Sequence, residues 1–440
     1  MQETKQKSNG LALLPILIFL VLFIGSGIIH KDFYSMPAVV GFMIALAVAF
    51  LQTKGKSFGE KITIISKGVG DENIITMCLI FLVAGGFSGA VSAAGGVNST
   101  VNLGLSLLPP EVAVIGLFII GCFISISMGT SMGTIAALAP IAVGVSEKTG
   151  FAMAICIGAV VSGAMFGDNL SMISDTTIAA VRTQGCQMKD KFKSNFFIVL
   201  PAAIVTILIL FYKTRGGMFV PDSNLEYNIL QVIPYLFVLV AALVGVNVFV
   251  VLILGTVFSI AVGLGTGSMA VTQIFTSIGT GVTGMYDITV ISILVACISA
   301  LVRENGGFAF ILEKIHSRIH SYRGAEFGLA ALISIIDGAT ANNTVAIVIA
   351  GPIAKEISEK YHIEPARSAS LLDIFAATFQ GIIPYGAQLL SAASLTGLTS
   401  FDIIPYLYYP YLMGIAALIS ILLPHRTRKA EEKKASASCN

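Results

Sequence analysis

The chain has 440 residues, 55% of them hydrophobic and 11% charged, with a formal net charge of +2 and a mean hydropathy of +0.89. That leaves too little polar surface for a water-soluble fold of this length. No basic patch interleaved with aromatics suggests a nucleic-acid partner.

In chain order, apolar runs cover residues 11–29, 36–51, 196–211, 229–261 and 403–423. The longest can hold two spans, joined near 245–247. A helix needs about 20 residues to cross the hydrocarbon, which predicts roughly ten to thirteen crossings or half-crossings. The run 11–29 follows lysines, but no small-residue cleavage site succeeds it, so it reads as a first membrane helix rather than a secretion signal. The short alternating segments of a membrane β-barrel are absent. The expected class is an all-α polytopic membrane protein. Of Cys78, Cys122, Cys156, Cys186, Cys297 and Cys439, four lie in apolar stretches. No CxxC occurs and the histidines are scattered, which argues against a metal cluster or a disulfide framework. Trp is absent, and "PYLYYPYLMG" (405–414) reads as an interfacial aromatic belt.

Basic loops at 54–67 (Lys54, Lys56, Lys61, Lys67) and 182–193 (Arg182, Lys189, Lys191, Lys193) are expected on the cytoplasmic side. So are the N-terminus, with Lys5 and Lys7, and the tail "HRTRKAEEKKASASCN". The tail, 424–440, reads as disordered.

An internal repeat emerges at an offset of 212: "APIAVGVSEKTG" from Ala139 lies over "GPIAKEISEKYH" from Gly351. Thr130 then falls over Asn342, Ser131 over Asn343 and Gly95 over Gly307. Further on, "GAMFGDNLSMISDTTIAA" faces "AATFQGIIPYGAQLLSAA", where the register is expected to need a gap or two. The expected division is N-terminal scaffold helices (1–72), repeat 1 (73–212), connecting helices (213–284) and repeat 2 (285–423). Duplicated halves are the pattern of secondary transporters, whose discontinuous helices meet at the bilayer midplane.

Each half carries a polar break in an apolar run, "GTSMGT" (129–134) and "DGATANNT" (337–344). Unpaired backbone groups in lipid cost several kcal/mol and survive only inside protein or beside a wet cavity. Helices restarting at Thr134 or Thr344 would aim free N–H groups at the break, suiting a carboxylate or other anion. Hydroxyl, amide and carbonyl oxygens suit a hard cation such as Na⁺. For the Gly-rich stretch 85–96, close helix packing and a re-entrant hairpin are equally good readings.

Intramembrane acids are functional candidates by default. Asp168 follows a long apolar run, and Asp175 lies seven residues on, about two turns along one helix face or at a helix N-cap. Burial favours a protonated carboxyl and bound Na⁺ favours the ionised one, the competition that exchange of Na⁺ for H⁺ requires. Asp337 stands in a similar setting. Arg303, Glu304 and Asn305 form either a membrane-surface triplet or a buried brace at a hairpin tip, where Arg303 could hold a substrate carboxylate. Asp373 and Gln380, in "LLDIFAATFQG", are second-tier candidates.

"GTSMGT" followed by "SGAMFGDNLSMISDTT" resembles the NhaC-type sodium/proton antiporter family of the ion transporter superfamily, over nearly the whole chain. The resemblance implies a scaffold domain, favouring a homodimer, and a transport domain of two inverted repeats, each with a re-entrant hairpin and an unwound helix. It implies that Thr130, Ser131, Asp168, Asn169, Ser171 and Asp175 line one half of the site, to which the helix restart adds Thr134 as a candidate. The second break adds Asp337, Asn342, Asn343 and Thr344. The Na⁺ ligands implied are Asp168, Asn169, Asn342 and Asn343. The chain departs from antiporter-like members in having Asn169, where many carry a lysine after "FGD"; the departure removes a buried cation. "ANNT" resembles the Ser-Asn-Thr motifs of dicarboxylate carriers in the same superfamily.

The expected function is Na⁺/H⁺ exchange by alternating access in a prokaryotic cytoplasmic membrane, with no cofactor beyond the coupling ion and no enzyme activity. The alternative is Na⁺- or H⁺-coupled transport of a small amino acid or carboxylic acid. A cavity beside Asn342 and Asn343 large enough for an organic solute would favour that alternative. No P-loop or HExxH occurs, so an ATP-driven pump and an intramembrane metalloprotease are set aside.

Overall fold

The computed structural model describes residues 8–30, 36–107, 109–172, 174–215, 226–244, 246–317 and 319–423. Lys5, Lys7 and the tail 424–440, with Cys439, lie outside them. The described residues are helical throughout, with no strand. The order is α1 (Leu14–His30), α2 (Ala38–Gln52), α3 (Phe58–Val69), α4 (Glu72–Ala93), α5 (Gly96–Leu107), α6 (Pro110–Met128), α7 (Ser131–Thr149), α8 (Met153–Leu170), α9 (Asp175–Gln184) and α10 (Met188–Thr214). Then come α11 (Ile229–Leu243), α12 (Val248–Thr266), α13 (Ile274–Thr283), α14 (Tyr286–Glu304), α15 (Gly307–His316), α16 (Tyr322–Thr340), α17 (Asn343–Lys360), α18 (Pro365–Ile382), α19 (Ala387–Thr396), α20 (Ser400–Ile403) and α21 (Tyr408–Leu422).

Four stretches among the described residues are long and apolar enough to cross a membrane, and up to seven if each bent helix pair is one span. The expected ten to thirteen included shorter apolar pieces, of which Gly10–Phe23, Ala38–Gln52 and Ile229–Val238 are examples. Outward faces carry large apolar side chains, such as Ile204, Leu208 and Phe211 on α10. Such a surface suits lipid, not water.

The duplication is a structural one. α6 ends at left-handed Gly129 and α16 at left-handed Ala341, 212 residues later. Thr130 and Asn342 are the N-caps that follow. The helix pairs α7/α17, α8/α18 and α9/α19 start at the same offset of 212, so the register after the break needs no gap. One slip lies upstream: left-handed Gly95 matches Gly306, not Gly307. The repeat also reaches outward, since α2 and α3 pack on α14 as α12 and α13 pack on α4.

The halves are inverted. The start of α10, through Asp190 and Lys193, lines one surface cavity with the starts of α16 (Tyr322) and α18 (Pro365). Its far end reaches the start of α6, where the Thr214 hydroxyl donates to the Glu111 carbonyl at 2.8 Å. At about 1.5 Å per residue α10 is about 40 Å long. Matched helices α6 and α16 therefore begin at opposite ends of it.

The halves interlock at the centre. α9 packs on α17 and α19 on α7, while α8 crosses α18. α8 is buried at every position from Ile155 to Leu170, which is why its sequence is apolar or small all round. Close approach depends on glycine: a methyl on Gly163 would meet the Phe118 carbonyl, and one on Gly167 the Cys122 carbonyl and Ser125 Cβ. Gly167 thus sets Asp168 against the end of α6.

Two sequence expectations change, and close packing, one of the two readings open for 85–96, is observed. The basic stretch 54–67 holds a helix, α3, opened by a capping box of Ser57 and Glu60. In 405–414, Tyr409 is fully buried against Phe166 rather than standing at an interface. In 85–96, the helix runs on to Ala93 and turns at Gly95; Gly85 and Gly89 serve close packing against α13.

Gly167→Ala should destabilise the purified protein by the roughly 1–3 kcal/mol that overpacking costs, read as a lower melting temperature. Gly116→Ala, where a methyl meets nothing within 4 Å, should be neutral or stabilise it by about 0.5–1 kcal/mol.

Candidate ion-binding site

Both helix breaks face one central cavity of about 80 Å³, whose lining includes Thr130, Ser131, Asp168, Asp175, Asn342 and Asn343. Each break is built alike. The left-handed residue donates its N–H back into the finished helix, Gly129 to the Ser125 carbonyl at 2.9 Å and Ala341 to that of Asp337 at 2.7 Å. The next residue is extended and caps the new helix, Thr130 through the Gly133 N–H at 3.4 Å and Asn342 through the Val345 N–H at 2.9 Å. Ala341 (φ 48°) has a Cβ, so its conformation costs about 1–2 kcal/mol that Gly129 avoids. The new helices begin at Ser131 and Asn343, earlier than the expected Thr134 and Thr344.

Asp168 is 6% exposed. Its Oδ2 accepts from the Ser131 hydroxyl at 2.7 Å and its Oδ1 from that of Ser174 at 2.5 Å. Ser131 Oγ accepts from Gln388 Nε2 at 3.1 Å, and Gln388 Oε1 accepts from Gln380 Nε2 at 2.7 Å. Gln380 Nε2 also donates to the Ala341 carbonyl at 3.2 Å. One polar chain thus joins the acid at the first break to the backbone of the second. Asp175 does not share a helix face with Asp168. α8 stops at Leu170, and Asp175 opens α9, exposed to the cavity.

A second cluster lies on the other side of the α8 end and is fully buried. Lys191 (1% exposed) pairs with Asp373 (0%). The ammonium also donates to the Asn169 carbonyl and to Thr177 Oγ1, each at 2.8 Å. Asn169 Nδ2 donates to Asp373 Oδ2 at 2.9 Å, and Asn195 Nδ2 donates to Asn169 Oδ1 at 3.1 Å. Lys191 therefore satisfies a carbonyl at a helix C-terminus, where a cation is favourable.

This corrects two expectations. Lys191 is not a loop cation, and the site does not lack a buried cation: α10 supplies it. Asn169, expected on the ion, is turned away from the cavity into this cluster. The signal was in the helical period. Lys191 stands on the stripe that continues through Asn195, Val199, Ala202, Thr206 and Leu210, all buried on α10.

The other candidates fall in four places. Thr344 and Gln380 line the central cavity. Thr134 donates to the Thr130 carbonyl at 2.9 Å and Ser171 to that of Ile126 at 2.7 Å, both bracing the breaks. Asp337 is 0% exposed, and among the described residues neither of its carboxyl oxygens has a hydrogen-bond partner. Arg303, Glu304 and Asn305 lie apart, at the tip between α14 and α15. Glu304 pairs with Lys56 at 2.9 Å and Asn305 Nδ2 donates to Thr53 Oγ1 at 2.8 Å. Arg303 and Glu304 line a separate cavity of about 290 Å³ that shares Asn342 with the central one.

The model of the Na⁺/H⁺ antiporter family matches residues 9–213 and 227–424. The chain belongs to that family. It is a membrane transporter of the antiporter kind. It is 22% identical to the Na⁺/H⁺ antiporter NhaC of Alkalihalophilus pseudofirmus over 94% of this chain and 96% of that one. It is 21% identical to the malate-2H⁺/Na⁺-lactate antiporter of Bacillus subtilis, over 92% and 94%. It is 23% identical to the arginine/ornithine antiporter ArcD of Halobacterium salinarum, over 95% and 92%. A solved structure, the YdaH transporter of Alcanivorax borkumensis, aligns over 94% of this chain and 98% of that one at 12% identity, with a TM-score of 0.41.

Lys191→Met or Asp373→Leu alone should destabilise the protein by about 3–5 kcal/mol, because each strands a buried charge. The double variant should melt closer to wild type than either single one, read by thermal unfolding in detergent.

Proposed function

We propose that the protein exchanges Na⁺ for H⁺, with Asp168 as the group that releases a proton and takes up the ion. The observation that carries this reading is a buried carboxylate on a small cavity, walled by two helix breaks rich in hydroxyl and amide oxygens. The cavity, about 80 Å³, is roomy enough for an ion and several waters. Ser131, Ser174, Asn342 and Asn343 are the proposed companions of Asp168. Asp175 lies at the mouth and attracts cations. Asp337 is proposed as a second carboxyl that carries a proton, since its oxygens lack the donors an ionised group needs. The Lys191–Asp373 pair holds the broken end of α8 in place and carries no ion.

The basic stretch from Arg182 to Lys193 would face the cytoplasm of a prokaryotic cell. The helices around the two breaks would form the moving part, and the outer ones a scaffold.

A second reading, coupled transport of a small carboxylic or amino acid, is favoured by the larger cavity on the far side of Asn342, whose lining carries basic Lys67 and Arg303 beside acidic Asp71 and Glu304. The names of two relatives, a malate/lactate and an arginine/ornithine antiporter, support testing it.

In proteoliposomes with an inward Na⁺ gradient and no organic solute, the lumen should turn alkaline, and Asp168→Asn should abolish the signal. Ser131→Ala should weaken apparent Na⁺ affinity about tenfold, the effect of roughly 1.4 kcal/mol. A silent wild-type trace, with Na⁺-dependent uptake of malate, lactate, arginine or ornithine instead, would replace exchange with the second reading.

A further inference from the structure

The cavity beside Arg303 has a counterpart in the inverted repeat. It lies against α3 and α14, and the matching place in the other half is the contact between α13 and α4. That contact is backbone on backbone. A methyl on Gly85 would collide with the Gly281 carbonyl, one on Gly281 with that of Gly85, and one on Gly89 with that of Ser277. With Gly95 matching Gly306, Gly85 and Gly89 correspond to Ala296 and Ala300. Two methyls thus stand in α14 where α4 has none, and Gly68 of α3 rests on Ala300 Cβ. Beyond that contact the gap widens into the cavity of about 290 Å³, lined by Lys67, Asp71, Ser299, Arg303, Thr340 and Asn342. Its inner wall is Asn342, which also walls the central cavity. A smaller cavity lined by Thr340, Ala341 and Asn342 sits at the same partition.

Charged walls keep a cavity wet, and glycine-on-glycine contact keeps a helix pair dry and closed. We propose that the α3–α14 cavity is the open access route to Asp168, with Asn342 as its inner partition. The α4–α13 contact is the closed route to the opposite face. Because the repeats are inverted, the two routes lead to opposite sides of the membrane, and they exchange roles in the other state. The asymmetry between them is written in Gly85 and Gly89 against Ala296 and Ala300. The proposal rests on the exchange reading in one respect, that Asp168 is the destination.

The test uses single cysteines in a transport-competent background with Cys78, Cys122, Cys156, Cys186, Cys297 and Cys439 replaced by Ser. Ser299→Cys and its repeat mate Ser88→Cys are exposed to a membrane-impermeant thiol reagent in vesicles of each orientation. Ser299→Cys should react from one face only, about tenfold faster at rest than Ser88→Cys does from either face, as a one-sided population requires. Its modification should stop transport. Ser88→Cys should react from the opposite face, and faster during turnover than at rest. Arg303→Cys repeats the measurement should Ser299→Cys fold poorly. Reaction of both mates from the same face, or modification of Ser299→Cys and Arg303→Cys without loss of transport, would overturn the proposal. Sodium-driven alkalinisation by the unlabelled variants reports separately on the exchange reading. One-sided labelling together with uptake of an organic solute but no alkalinisation would leave the route standing and remove the exchange.

Discussion

A helix interrupted inside a membrane leaves N–H and C=O groups that lipid cannot satisfy. The architecture follows from how this chain meets that demand at five helix ends. Thr130 and Asn342 cap the two restarted helices, and Gly129 and Ala341 fold their amides back into the finished ones. At the end of α8 the solution is a buried cation: Lys191 holds the Asn169 carbonyl. A lysine so deep requires a counter-charge, and Asp373 of the other repeat provides it. Joining the halves is thus an electrostatic necessity as well as a packing one.

Inverted symmetry gives each half the same scaffold while leaving its chemistry free. At the offset of 212, Asp168 corresponds to Gln380 and Asp337 to Ser125. Each half therefore carries a buried acid near its break, but on different helices. Asp168 has two hydroxyl donors and a cavity; Asp337 has neither. Two carboxyls in such different surroundings are not chemically equivalent. The same freedom explains why one helix crossing is closed by glycines and its mate stands open beside alanines.

Adjacent residues at the α8 end face opposite ways. Asp168 looks into the cavity and Asn169 looks away, into the Lys191 cluster. Anything that shifts that cluster moves the acid next door, so the two share one geometry.

Helical class, membrane setting, the repeat and both breaks were legible in the sequence, because each leaves a local trace: apolar length, a fixed offset, polar residues where lipid forbids them. Asp168, Asn342 and Asn343 could be named for the same reason. The helix face on which Lys191 stands was legible too, but its neighbours "MKDKFK" made it look like surface charge. Its partner Asp373 lies 182 residues away, and no local pattern records such a meeting. The direction of Asn169, the separation of Asp175 from Asp168 and the isolation of Asp337 likewise depended on where helices end and what packs behind them. Sequence alone determined that this protein must satisfy polar groups inside a membrane; the tertiary structure decided which distant side chains do so, because burial and pairing are properties of the packed helices rather than of any one segment.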